Sequence, residues 1–112
     1  MRINIKALSV NECWQGRRFK TDKYKSYEKE LLLKLKHYKI PEDKIQINII
    51  FGVSSKLMDI DNGLKPLLDI LQKKYKFNDR DIYKLNVTKQ IVKKENEFIQ
   101  IKIKEYETIK EN

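Results

Sequence analysis

The stretch Ile45-Gln46-Ile47-Asn48-Ile49-Ile50-Phe51-Gly52 decides the fold. Ile45, Ile47, Ile49 and Phe51 alternate with Gln46, Asn48 and Ile50, which predicts a strand that stops at Gly52. Its apolar content gives it a central place in a sheet. An Asp-rich loop follows directly. Then Leu64, Leu67, Leu68 and Leu71 recur at i, i+3, i+4 and i+7, which predicts a helix over roughly 64–75. Pro66 suits its first turn, where the missing N–H has no partner to lose.

Working outward, residues 2–8 alternate as a strand, with Ile3 and Ile5 on one face and Arg2, Asn4 and Lys6 on the other. Asn11 to Lys20 is polar and irregular and reads as a loop carrying Trp14, Gly16, Arg17 and Arg18. Thr21 is the expected N-cap of a helix running to about Lys39, with Tyr24, Tyr27, Leu31, Leu35 and Tyr38 at helical spacing and Pro41 ending it. On the C-terminal side, Ile82 to Lys93 is strand-like. Glu97 to Tyr106 forms another strand with Ile99, Ile101 and Ile103 inward, and Lys93-Lys94-Glu95-Asn96 suits a hairpin between the two. The expected fold is α+β, one domain over residues 1–112 in the order β-α-β-α-β-β: four strands and two helices, with the last few residues fraying.

Charge points to the partner. The chain has a formal net charge of +9, with 37% charged and 40% hydrophobic residues, so a modest core carries a wide, basic surface. Such a surface attracts polyanions, since each phosphate contact releases condensed counterions, and nucleic acid is the first partner to consider. Surface solvation by lysine is the plain alternative. Cys13 is the only cysteine, which rules out an intrachain disulfide, suggests a reducing compartment and suits a small buried apolar residue. His37 is the only histidine, which argues against the usual zinc sites and a histidine-dependent nucleophile. The N-terminus lacks a signal-like apolar run, and no window is long enough to span a membrane, so a soluble cytoplasmic protein is expected.

Against that basic background, five aspartates (59, 61, 69, 79 and 81) fall between positions 59 and 81 with no glutamate among them. Asp59 and Asp61 follow the central strand two residues apart, which in extended chain puts both side chains on one side. Asp61, Lys65 and Asp69 are spaced i, i+4, i+8 and share a helical face away from the leucines, while Asp79 returns in the loop before the third long strand. Carboxylates from three segments could thus converge. Oxygen ligands without histidine or thiolate suit magnesium, and magnesium with a nearby ammonium suits phosphodiester hydrolysis. The competing readings are helix capping by Asp61 and Asn62, surface pairing of Asp69 with Lys65 or Lys73, and a calcium loop opening at Asp59-x-Asp61. The calcium loop fails, because Leu64 stands where it needs glycine and Ile70 where it needs glutamate. Arg17, Arg18, Lys20, Lys23 and Lys25, interleaved with Trp14, Phe19 and Tyr24, could hold a DNA backbone and stack on exposed bases, or could be a solvated loop leading into a helix.

The run Asp59-Ile60-Asp61-Asn62-x-x-Lys65-x-x-x-Asp69 with Phe77-Asn78-Asp79-x-x-Ile82 resembles the signature of the RusA-type Holliday junction resolvases, structure-selective endodeoxyribonucleases of DNA recombination and repair found in bacteria and prophages. The resemblance covers about positions 45–105; the N-terminal third looks like the variable basic arm of phage-type members. It implies a mixed sheet with flanking helices, a homodimer, and a four-way DNA junction as substrate, with no organic cofactor and no membrane partner. It also implies that Asp59, Asp61 and Asp79 bind Mg2+, that Lys65 is catalytic, and that Asp69 and Asn62 support them. Many members carry paired acids where this chain has Asn78-Asp79, which leaves the register of Asp79 against Asp81 open. Two other functions remain: a non-catalytic DNA-binding module of a degenerate prophage, and a metal-dependent nuclease for other branched DNA.

Overall fold

The computed structural model describes residues 1–16 and 19–107. Its central element is β4 (Ile45–Val53), whose Ile45, Ile47, Ile49, Phe51 and Val53 are all almost wholly buried. A strand this apolar needs partners on both backbone edges, and it has them. β5 (Ile82–Ile91) pairs with it in parallel and β6 (Phe98–Glu105) antiparallel, and the short β1 (Arg2–Ile3) adds to the outer edge of β6. The four-stranded sheet therefore runs β1-β6-β4-β5.

Both helices lie on one face of this sheet. α1 (Asp22–Lys34) supplies Tyr24, Tyr27 and Leu31, and α2 (Leu64–Tyr75) supplies Leu67, Ile70, Leu71 and Tyr75, to a single core with the β4 isoleucines and Ile99, Ile101 and Ile103. The domain is α+β, a mixed four-stranded sheet with two helices. Among the described residues no helix is long and apolar enough to cross a membrane.

Four local expectations differ from the structure, each for a physical reason. β5 and β6 do not form a hairpin, because β4 lies between them. The Lys93–Glu97 connection instead crosses the end of β4, with the Val92 N–H donating to the Val53 carbonyl (2.9 Å) and Glu97 Oε2 accepting from the Ser54 N–H and hydroxyl (3.3 Å each). The N-terminal alternation is satisfied by burial more than by strand pairing: Ile5, Ala7 and Leu8 enter the core, yet ladder pairing stops at Ile3. α1 begins as expected, with the Thr21 hydroxyl accepting from the Tyr24 N–H (3.2 Å), but ends at Lys34. Past that point the Lys36 carbonyl accepts from the Tyr75 hydroxyl (2.7 Å) and Tyr38 packs on Tyr75, contacts that draw the chain out of the helix. Finally, the polar segment before α1 holds a small ribbon of β2 (Trp14–Gln15) and β3 (Phe19–Lys20), its turn entered through Gly16 at φ 67°.

Glu28 ties α1 to both neighbours. Its carboxylate pairs with Lys20 of β3 (3.0 Å) and Lys73 of α2 (3.1 Å). Burial alone would raise its pKa, but the two ammonium groups outweigh burial and hold it below the ordinary value. A carboxylate depressed in this way stabilises the fold above its unfolded pKa of about 4.3, and the contribution disappears as pH falls through the lowered value. Glu28→Gln should cost about 1 kcal/mol at pH 7, and the gap to the parent should close on acidification. Thermal melts at pH 7 and pH 3 measure this; an equal gap at both would show that the ion pairs are not its source.

Candidate active site

The loop after β4 folds into a turn instead of continuing extended: the Asn62 N–H donates to the Asp59 carbonyl and the Leu64 N–H to the Asp61 carbonyl, each at 3.1 Å. Period-two reasoning therefore does not apply to Asp59 and Asp61. The helix-capping alternative is not realised either. α2 is capped by Gly63 with no side-chain hydrogen bond, so neither Asp61 nor Asn62 spends its side chain on the helix. Asp59 and Asp61 are exposed, and among the described residues neither carboxylate has a hydrogen-bond or ion-pair partner.

The helical spacing from Lys65 is realised. Lys65 Nζ donates to Asp69 Oδ1 at 3.0 Å, one turn along α2, and lies 4.0 Å from Asp79 Oδ2. Asp79 reaches it because α2 ends in a left-handed residue, Lys76 (φ 58°), and the following turn is fastened to the helix by the Asp79 N–H donating to Gln72 Oε1 (3.1 Å). Asn78 and Asp81 cap that turn: Asn78 Oδ1 accepts from the Arg80 N–H, and Asp81 Oδ2 accepts from the Asn78 N–H. Asp81 is thus occupied in capping, and Asp79 is the acid that faces Lys65.

Asp69, first by its hydrogen bond and then by its charge, raises the Lys65 pKa, and Asp79 adds to it against a small opposing effect of burial. Lys65 is therefore an ammonium at neutral pH, suited to stabilising negative charge and unable to act as a base. Burial, then the charges of Glu12 and Asp69, pushes the Cys13 thiol up, and burial followed by Asp69 pushes the Tyr24 phenol to about 12. Both stay protonated, so neither is a nucleophile or an anionic ligand at neutral pH.

The aromatic ribbon stands beside this site. The Val10 N–H donates to the Asn62 carbonyl (2.8 Å), fastening the N-terminal segment to the aspartate turn, and Trp14 packs edge-on against Tyr24 with 5.7 Å between ring centroids. Phe19 is 72% exposed at the ribbon. Of the expected DNA-binding cations, Lys20 is paired with Glu28 and Lys23 with Glu12 (3.6 Å), while Arg17 and Arg18 lie outside the described residues.

Compared with known proteins, the chain matches no family model and no curated relative.

Lys65, Asp69 and Asp79 are thus brought together, with Asp59 and Asp61 on the turn leading into α2. Asp59, Asp61 and Asp79 do not close on one point: among the described residues no group of three or more acidic, histidine or cysteine side chains is gathered to hold a metal ion. The donor chemistry nevertheless fits magnesium, which is commonly held by one or two carboxylates with water and substrate phosphate completing the shell. Sequence reasoning missed two residues that shape the site. Gln72 shares the helical face of Lys65 and Asp69, and that spacing is its only sequence signal. Lys89 of β5 donates to the carbonyls of Lys56 (3.1 Å) and Met58 (2.8 Å), holding the strand-to-turn passage, and no local pattern marks it.

Proposed function

We propose that this chain is a magnesium-dependent, structure-selective endodeoxyribonuclease that resolves four-way DNA junctions as a homodimer, like the RusA-type enzymes it resembles. The observation that carries the reading is Lys65, whose ammonium meets both Asp69 on its own helix and Asp79 from the turn before β5. Two separated halves of the sequence motif are thereby drawn to one cation. A two-fold dimer suits the substrate, because resolving a junction takes two symmetric nicks.

In this reading Asp59, Asp61 and Asp79 would hold the ion, which requires these separated carboxylates to close on it when it binds with the substrate phosphate. Magnesium, when bound, would supply polarisation of the phosphodiester, orientation of the attacking water and charge neutralisation at the leaving oxygen. Lys65 donates to an oxygen of the scissile phosphate as negative charge builds there. Asp69 keeps that lysine protonated and aimed, and Gln72 and Lys89 fix the backbone on either side. The ribbon aromatics offer stacking surfaces for bases unpaired at a branch point.

Lys65→Met should lower junction cleavage by about 10²–10³-fold while binding changes only a few-fold, since a donor that acts on developing charge matters most in the transition state. Lys65→Arg should recover part of the rate. Single-turnover cleavage alongside gel-shift binding separates the two quantities, and an unchanged rate would remove Lys65 from the mechanism.

The deciding experiment maps nicks on a synthetic four-way junction, a flap and a linear duplex with magnesium, with calcium and with chelator. Paired symmetric nicks on the junction with magnesium alone are expected. Binding without nicking under every condition would favour the non-catalytic DNA-binding module, and preferential cutting of the flap would favour a nuclease for other branches.

A further inference from the structure

We propose that the open face of the sheet is a second DNA-contacting surface, one that holds the phosphodiester backbone of a duplex arm away from the Lys65 site. The proposal rests on the reading of the chain as a DNA-acting protein. Strand pairing fixes what this face presents. One row across the sheet is Lys84, Gln46 and Lys104; the next is Asn86, Asn48 and Lys102; the third is Thr88, Ile50, Gln100 and Arg2. No carboxylate occurs in these rows. The opposite face of the same strands carries the core isoleucines and both helices, so among the described residues no helix covers this face.

Among the described residues the ion pairs lie on the helix side of the molecule, off this face. Lys20, Lys23, Lys34, Lys65 and Lys73 each have a carboxylate partner. Among the described residues none of Lys84, Lys102, Lys104 and Arg2 is in an ion pair, and the Arg2 guanidinium instead lies 3.6 Å from the Phe98 ring centroid. Lys84 and Lys104 flank the same glutamine. Strands are spaced about 4.8 Å apart, so these two lysines stand about 9.6 Å apart across β4, a span that an anion lying over the row can bridge.

The face is also stiff and wettable. Asn48 Oδ1 accepts from Gln46 Nε2 (3.0 Å) and from Asn86 Nδ2 (2.8 Å), joining the amides of β4 and of the edge strand β5 into one network. At the end of the face, Tyr83 packs against Tyr106 (5.7 Å between centroids) with Lys44 over the Tyr83 ring at 5.2 Å. These rings and the Lys84–Lys104 row line a shallow cleft whose one carboxylate among the described residues is Glu107. An apolar partner has little to bury here, and a second copy stacked through this face would set lysine against lysine. A polyanion with regularly spaced charges satisfies the rows, and the phosphodiester backbone is the polyanion the site chemistry supplies.

The test is the salt dependence of duplex and junction binding, measured without divalent metal so that no cleavage intervenes. The triple variant Lys84→Gln, Lys102→Gln, Lys104→Gln should lower the slope of log K against log salt by about 2–3, since each lost duplex phosphate contact removes about 0.9. A control with equal charge loss elsewhere, Lys29→Gln, Lys36→Gln, Lys39→Gln, should leave the slope within about 0.5 of the parent. An unchanged slope in the first variant, or an equal fall in both, overturns the sheet-face proposal while leaving DNA binding intact. A parent that shows no salt-dependent DNA binding overturns the proposal together with the functional reading beneath it. Binding of anionic phospholipid vesicles lost in the first variant, with duplex binding unaffected, overturns the assignment to DNA.

Discussion

Asp61→Asn should reduce magnesium-dependent junction cleavage by about 10³-fold or more, with junction binding unchanged or tighter. On the proposed reading Asp61 is a metal ligand; losing such a ligand removes several kcal/mol of transition-state stabilisation, and each 1.36 kcal/mol is a factor of ten. Binding should not suffer, because removing a carboxylate also removes its repulsion of the phosphate. The fold should survive too. What Asp61 gives the turn is its backbone carbonyl, which accepts from the Leu64 N–H and is unchanged in asparagine, while its exposed side chain caps nothing. A melting temperature equal to the parent's, with cleavage lost and binding kept, is the expected combination. Binding and cleavage lost together with a lowered melting temperature would make Asp61 a folding residue and would withdraw it from the site.

Gly52→Ala should be among the most damaging single-methyl additions in the chain. Gly52 sits opposite Phe98 across the β4–β6 ladder, and a Cβ there would overlap the Phe98 ring. That ring is buried and has the Arg2 guanidinium packed on it at 3.6 Å, so it has little room to move. The clash is with a packed aromatic on a central strand, and a loss of about 3 kcal/mol, the upper end for overpacking, is expected. In a domain of this size that corresponds to a fall of roughly 10 °C or more in melting temperature. Pairing the change with Phe98→Ala should recover part of the loss, so that the double variant is more stable than the sum of the single effects. Strict additivity would show that the ring is not what Gly52 accommodates.

The sequence was a good guide wherever one residue pattern served one purpose. The leucine spacing gave α2 its bounds, Leu64–Tyr75, and Thr21 marked the start of α1, because an apolar stripe or a capping hydroxyl is written locally. Strand neighbours were not legible. Val92 to Glu97 is short and polar, which fits a hairpin as well as it fits a link across the end of β4, and only the need of β4 for two partners separates these. The end of α1 depended on Tyr75, far away in the chain, taking the Lys36 carbonyl. At the site, the i, i+4 relation of Lys65 and Asp69 could be read in advance. The approach of Asp79 could not, because it depends on the left-handed turn at Lys76 and on Gln72 catching the Asp79 amide.

The position of β4 has a consequence for how the protein is made. Its two sheet partners, β5 and β6, both come later in the chain, so during synthesis a long apolar strand leaves the ribosome with neither edge covered. α2 can shield one face of β4 early, but it supplies no ladder hydrogen bonds. Until residues 98–105 emerge, the antiparallel edge stays open to pairing with another nascent chain. A fragment stopping before Phe98 should therefore collect in inclusion bodies, and slower translation through the last strand should lower the soluble yield of the full chain.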